Sequence, residues 1–219
     1  MTTLLEKYRP KNLADIVGQP HVVDQLRAWL REPTPTAFIF GGGTGTGKTS
    51  AALALAKELG IVVERGEYSG LWQIASGEQT GEAVRAVMKG LHVTPWEGSG
   101  WKVLVVNEAD IMTPNAAGTW LDVLEHLPPR TVVIFTTNNA GRLPTRLRDR
   151  CERFEFNSGA LALLPHLPAF VAKVWKAETG RDDAPDPFDF GPLADENGDI
   201  SIRRLLQMMT PFIRAGKAP

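Results

Sequence analysis

The sequence predicts an α/β protein: a parallel sheet sandwiched by helices, followed by a small all-helical unit. Three observations predict it. Short uninterrupted apolar runs at 37–40, 61–63, 103–106 and 132–135 have the character of strands buried on both faces, as in parallel sheets. Amphipathic stretches separate these runs, and strands alternating with helices build βαβ units. After Phe156 the composition changes and apolar residues recur at helical spacing.

The elements follow in order. Gln19-Pro20 opens a helix over 21–31. A second helix, 48–59, places Ala52, Leu55, Ala56 and Leu59 on one face. A third, 82–91, carries Val84, Val87, Met88 and Leu91; a fourth, 115–126, carries Trp120, Leu121, Val123 and Leu124. Asn157-Ser158-Gly159 reads as a break. Beyond it, 163–177 repeats Leu167, Phe170, Val171, Val174 and Trp175 at helical spacing, 180–192 is an Asp- and Pro-rich loop, and 200–213 is again amphipathic. Two domains are expected, 1–156 and 157–219, with no repeat of fixed period.

With 219 residues, 43% hydrophobic and 22% charged, the chain buries a real core, and disorder is excluded as its main state. No apolar window reaches the ~18 residues of a membrane span. The N-terminal stretch lacks the apolar run of a signal peptide, so an intracellular, cytoplasmic protein is expected. The single cysteine, Cys151, excludes a disulfide framework and a cysteine zinc site, and is expected to be a buried small hydrophobe. His21, His92, His126 and His166 share no metal-ligand spacing. A net charge of −1 is not that of a basic nucleic-acid-binding domain, so any DNA contact must come from a local basic face.

Gly42-Gly43-Thr44-Gly45-Thr46-Gly47-Lys48-Thr49 matches the phosphate-loop pattern G-x-x-x-x-G-K-[ST]. It follows the apolar run 37–40 and opens the helix over 48–59, the context the pattern requires. Its glycines let backbone N–H groups close around phosphate oxygens, and the helix N-terminus adds a positive dipole. Lys48 then reaches the β and γ phosphates of ATP, Thr49 ligates Mg²⁺, and Ser50 continues the wall. The metal-side partner comes at the end of the run 103–106, as Asn107-Glu108. An aspartate is usual in the first position. The Asn107 amide oxygen accepts a hydrogen bond from a metal-bound water but brings no charge, so Mg²⁺ should be held less well. Glu108 is the candidate general base that orients the attacking water.

These residues resemble the AAA+ ATPases of the clamp-loader group: replication factor C small subunits, phage clamp loaders and the bacterial polymerase III tau/gamma subunit. Glu6-Lys7-Tyr8-Arg9-Pro10, with Ile16-Val17-Gly18-Gln19, is similar to the group's N-terminal segment, which implies that Tyr8, Arg9, Pro10 and Val17 pack around the adenine. Asn107-Glu108-Ala109-Asp110 resembles its DEAD box except in the first residue. Asn138 matches the sensor 1 position, and Leu143-Pro144 with Asp149-Arg150-Cys151 resembles LP…SRC, Asp149 replacing Ser. The resemblance makes Arg150 an arginine finger acting in trans on a neighbouring subunit's ATP, with Asp149 placed to tether it. Otherwise Arg150 is one arginine of a basic loop with Arg142, Arg146, Arg148 and Arg153. Gly198-Asp199-Ile200-Ser201-Ile202-Arg203-Arg204 resembles the sensor 2 helix, which makes Arg203 the γ-phosphate contact, with Arg204 next in line.

The resemblance covers about residues 4–215. It does not extend to the helical collar that such subunits usually carry, which implies a ring or spiral of self or related subunits held without a collar, or with one on a partner chain. It also implies contact with primed DNA and a sliding clamp. Thr80, Arg85 and Lys89 on the helix 82–91 are then candidates for DNA phosphates; the alternative is a solvated amphipathic face. Trp120 is better read as core than as a clamp contact. The implied function is a clamp-loader-like Mg-ATPase of DNA replication or repair. Two alternatives remain: a low-turnover ATP-binding switch or scaffold, on the strength of Asn107, and a Holliday-junction or replication-restart remodeller.

Overall fold

A computed structural model describes residues 3–196 and 198–216 of the chain. The outermost residues of the two expected domains, 1–2 and 217–219, lie outside the described residues. Five strands, β1 (Thr36–Gly42), β2 (Leu71–Ile74), β3 (Lys102–Val106), β4 (Thr131–Thr136) and β5 (Glu152–Phe156), form one sheet in the order β2-β3-β4-β1-β5, with every pairing parallel. Nine α-helices are present among the described residues: α1 (Leu4–Lys7), α2 (Pro20–Leu30), α3 (Lys48–Glu58), α4 (Gly81–Leu91), α5 (Pro114–Glu125), α6 (Thr145–Arg148), α7 (Ala160–Leu163), α8 (Leu167–Thr179) and α9 (Ile202–Ala215).

The central strands β1, β3 and β4 stand where the apolar runs predicted them, and every residue of β3 and β4 is buried. The run 61–63 does not form a strand. Ile61 is buried but its N–H bonds to the Ala56 carbonyl as the chain leaves α3, and 3₁₀ turns follow over Val63–Ser69, kinked at Gly66. The strand comes later, at Leu71–Ile74. Alternating side chains of the sheet feed two cores. One lies against α2 and α3, around Phe38, Phe40, Leu55 and Phe154. The other lies against α4 and α5, around Ile39, Val84, Trp120 and Phe135. Trp120 is fully buried, edge-on to Phe135 with ring centroids 5.0 Å apart, so it is core as expected. Cys151 is only partly buried, packed beside this second core, and burial pushes its thiol up to about 12.

Helices α7, α8 and α9 enclose a third core of Leu163, Leu167, Val171, Trp175, Leu205 and Met209. The N-terminal segment joins it through Leu4, Leu5 and Tyr8. Gln19 pins this segment to the start of the helical unit: its amide donates to the Asn157 carbonyl at 2.7 Å and accepts from the Asn157 N–H at 2.8 Å. The described N-terminal segment and the helical unit therefore both stand beside the loop that follows β1.

Candidate nucleotide-binding site

A parallel sheet directs its loops to the carboxyl ends of its strands, and ligands bind in the crevice there. Here the loop after β1 runs 43–47 into α3, with Gly47 in the left-handed conformation as the N-cap. Above it lies a cavity of about 450 Å³. Its floor is Thr44 to Ser50; its far wall is Ser76, Asn107, Glu108, Thr136, Thr137 and Asn138. Tyr8, Arg9, Pro10, Ile16 and Val17 close one side, and Phe170, Ile202, Arg203 and Leu206 close the top. Gly42 and Gly43 stand behind the floor and turn their carbonyls to Lys48. The helical unit presses close: a Cβ at Gly45, whose φ is +77°, would collide with the Ser201 hydroxyl.

Lys48 is buried at the centre. Its ammonium donates to the carbonyls of Gly42 at 2.6 Å and Gly43 at 2.7 Å and to Asn138 Oδ1 at 2.9 Å. Burial, and then the Arg203 guanidinium, lower its pKa to about 8, against a weaker pull upward from Asp110, Glu108 and Glu155. Asn138 is thus tied to the phosphate-loop lysine. Thr49 Oγ1 donates to Asn107 Oδ1 at 3.1 Å. These two neutral oxygens face one another where a phosphate-bound Mg²⁺ would be held. The cavity lining includes two carboxylates, Glu108 beside Asn107 and Asp15 next to the N-terminal wall residues Ile16 and Val17. No cluster of three His, Cys, Asp or Glu able to hold a metal unaided exists among the described residues. The donor set fits a cation that nucleotide phosphates carry in, not one the protein holds alone.

Glu108 occupies a left-handed backbone conformation, φ 50° and ψ 51°, rare for a residue with a side chain. Three contacts hold it. Its N–H donates to Thr136 Oγ1 at 3.3 Å, its carboxylate accepts a short bond from the Ser76 hydroxyl, and its carbonyl accepts from the Gln79 amide at 3.2 Å. Gln79 is buried and also donates to the Asn107 carbonyl, while its own carbonyl accepts from the N–H of Thr113, the N-cap of α5. Asp110 accepts from the Thr137 hydroxyl at 2.7 Å. Ser76, Gln79, Thr136 and Thr137 were not foreseen from the sequence. Ser76 and Gln79 follow β2, the strand that the apolar runs misplaced.

Of the two arginines opening α9, Arg203 lines the cavity, whereas Arg204 donates to the Ala194 carbonyl at 3.4 Å. Arg150 lies outside the cavity. The expected tether is not Asp149, which sits 4.0 Å from Arg153. Arg150 instead pairs with Glu125 at the end of α5 and donates to the Arg146 carbonyl at 3.0 Å. On α4, Arg85 and Lys89 lie one turn apart, exposed, and neither forms an ion pair with another described residue. Thr80 caps the helix, its oxygen accepting from the Ala83 N–H at 3.2 Å. No helix among the described residues is long and apolar enough to cross a membrane.

The chain is 32% identical over 175 residues to the replication factor C small subunit of Thermofilum pendens, covering 80% of this chain and 52% of that protein. With its counterpart from Methanothermobacter thermautotrophicus it shares 30% over 152 residues, covering 69% of this chain and 47% of that one. The chain thus spans about half the length of the curated relatives it matches. In fold it resembles the Thermotoga maritima RuvB Holliday junction branch migration motor, with a TM-score of 0.66 at 17% identity, covering 97% of this chain and 69% of that one. It likewise resembles a polymerase III gamma-subunit-related protein of the same organism, with a TM-score of 0.58 at 19% identity, covering 88% and 57%. Residues 18–160, more than half of the chain, match the family described as DNA polymerase III, delta subunit, and the chain belongs to that family, among the clamp-loader-type AAA+ ATPases.

Proposed function

We propose that this protein binds Mg-ATP in the cleft between its α/β domain, 1–156, and its helical lid, 157–219, and couples ATP binding and hydrolysis to the handling of primed DNA or a sliding clamp. The observation that carries the reading is the single cavity in which the phosphate loop, Asn107, Glu108, Asn138, the N-terminal segment and Arg203 all meet. Lys48 and Arg203 would hold the β and γ phosphates, and Asn138 holds the Lys48 ammonium in place. Thr49 and Asn107 would hold Mg²⁺, which supplies charge neutralisation on the phosphates. Glu108 accepts the proton of the attacking water as its oxygen closes on phosphorus. Tyr8, Arg9, Pro10 and Val17 would enclose the base.

Arg150 lies outside its own cleft and on an exposed surface, which supports a role in trans: a guanidinium delivered to a neighbour's γ-phosphate is worth roughly 10³–10⁵ in rate. Exposed Arg85 and Lys89 on α4 would give each subunit a small phosphate-binding face, which a ring or spiral would multiply. The test is ATPase rate per subunit against protein concentration, with and without primed DNA. A rate that climbs with both supports a shared site. A flat rate across all concentrations in the presence of DNA overturns it.

Asn107 favours a second reading, an ATP-binding switch or scaffold of low turnover. With neutral oxygens on both Thr49 and Asn107, the cation-holding pair lacks the usual carboxylate. Asn107→Asp separates the two. A large rise in turnover supports the switch; an unchanged rate means that the amide serves an active site.

A further inference from the structure

Arg150 is not free in this chain, and what holds it is outside the loop that carries it. Its guanidinium pairs with the carboxylate of Glu125, the last residue of α5, and donates to the Arg146 carbonyl at 3.0 Å. Glu125 stands at an electrostatically poor place. The last turn of α5 contains no basic residue, and a carboxylate at a helix C-terminus meets the negative end of the helix dipole. The cation that relieves it comes from the loop after α6, 25 residues away in sequence. The relief is mutual, since the guanidinium is held both by this carboxylate and by the Arg146 carbonyl.

We infer that Glu125 is a positioning residue that parks Arg150 on its own chain and sets the subunit concentration at which the finger engages a neighbour. The inference rests on the reading of Arg150 as a trans-acting group. A guanidinium carrying a carboxylate cannot approach a triphosphate without bringing a negative charge to it. Glu125 must therefore separate from Arg150 as the neighbour's γ-phosphate takes its place. The two side chains are 35% and 48% exposed, so the pair is screened and its bias is small. An interaction of that strength shifts the engagement equilibrium by about two- to five-fold: enough to discourage hydrolysis by chance encounters, not enough to prevent it in an ordered assembly.

The experiment compares the full chain with Glu125→Gln, Arg150→Ala and the double variant, following ATPase rate per subunit against protein concentration with primed DNA present. Glu125→Gln keeps the size of the side chain at an exposed site, so the fold is retained. The expected result is a half-activating protein concentration lowered about two- to five-fold in Glu125→Gln, with the plateau rate unchanged. In the Arg150→Ala background, where the concentration-dependent rate is expected to be lost, the readout is self-association by sedimentation velocity with ATP and primed DNA. The same change is expected to leave it unaltered there, whereas a shift would mark a merely structural effect on α5 and overturn the inference. A half-activating concentration that stays put or rises in Glu125→Gln overturns the inference while leaving the finger intact. If Arg150→Ala matches the unaltered chain at every concentration, the trans role of Arg150 falls, and the parking role with it.

Discussion

Lys48 shows how far one side chain's surroundings set its chemistry. An ordinary lysine is charged at every physiological pH, but burial and the nearby Arg203 bring this one down to about 8. Its three hydrogen bonds go to two carbonyls and an amide oxygen, none carrying a full negative charge. Triphosphate oxygens beside it would supply that charge and raise the pKa toward its usual value. Near pH 8–9 the free site is therefore partly deprotonated and the filled site protonated, so ATP binding takes up a proton. Affinity accordingly falls as pH rises through about 8, because the free protein no longer carries the proton that the complex needs. Titration calorimetry at pH 8.5 in two buffers of different ionisation enthalpy checks it. An uptake of a sizeable fraction of a proton is expected, and Lys48→Met should abolish it together with most of the binding.

At the scale of elements, the sequence pattern was readable where burial is two-sided and misleading where it is one-sided. Strands β1, β3 and β4 are covered by helices on both faces, so their apolar runs are unbroken. The two strands that the pattern missed, β2 and β5, are the edges of the sheet. Gln73 interrupts β2 and is exposed, and in β5 only Phe154 and Phe156 are buried, between exposed Glu152, Arg153 and Glu155. The phosphate loop was legible because its spacing is local. The Ser76 bond to Glu108, the Gln79 junction and the Glu125 pair join residues 32, 28 and 25 positions apart, and no short-range pattern encodes them.

Trp120 on α5 gives this scale its prediction. It fills the second core against Phe135, but its indole N–H has no partner among the described residues. Trp120→Ala should cost about 3–5 kcal/mol, since it leaves a cavity under the helix that carries both Thr113 and Glu125. Trp120→Phe also loses volume but removes an unsatisfied donor, so it should cost less than half as much. Urea denaturation midpoints check the ordering. Equal losses would mean that the indole nitrogen is satisfied in solution.

The whole molecule is organised by the way its third core borrows from the N-terminus. Leu4, Leu5 and Tyr8 pack against the third core, formed by α7, α8 and α9, and Tyr8 donates its hydroxyl to Glu178 at 2.6 Å, so the segment that walls the cleft is also part of the helical unit's interior. Lys7 holds the same carboxylate at 2.6 Å, keeping Glu178 charged below the usual carboxylate range, while burial and the neighbouring carboxylate push the Tyr8 phenol up. A ligand in the cavity touches the phosphate loop on one side and this composite wall on the other, so it can stay only while both remain folded. Binding at about a hundredfold excess over Kd stabilises a folded protein by about 2.7 kcal/mol. For a chain of this size each kcal/mol moves Tm by about 2–4 °C, so Mg-ATP should raise it by about 5–10 °C. Tyr8→Ala, which removes both the ring from the lid core and the bond to Glu178, should cut that gain to less than half at the same nucleotide concentration. Tyr8→Phe keeps the ring and should retain most of it. Differential scanning calorimetry of the three proteins decides the matter: an equal gain in all three would mean that the N-terminal segment is a passive edge of the cleft, with the lid closing on nucleotide through Arg203 alone.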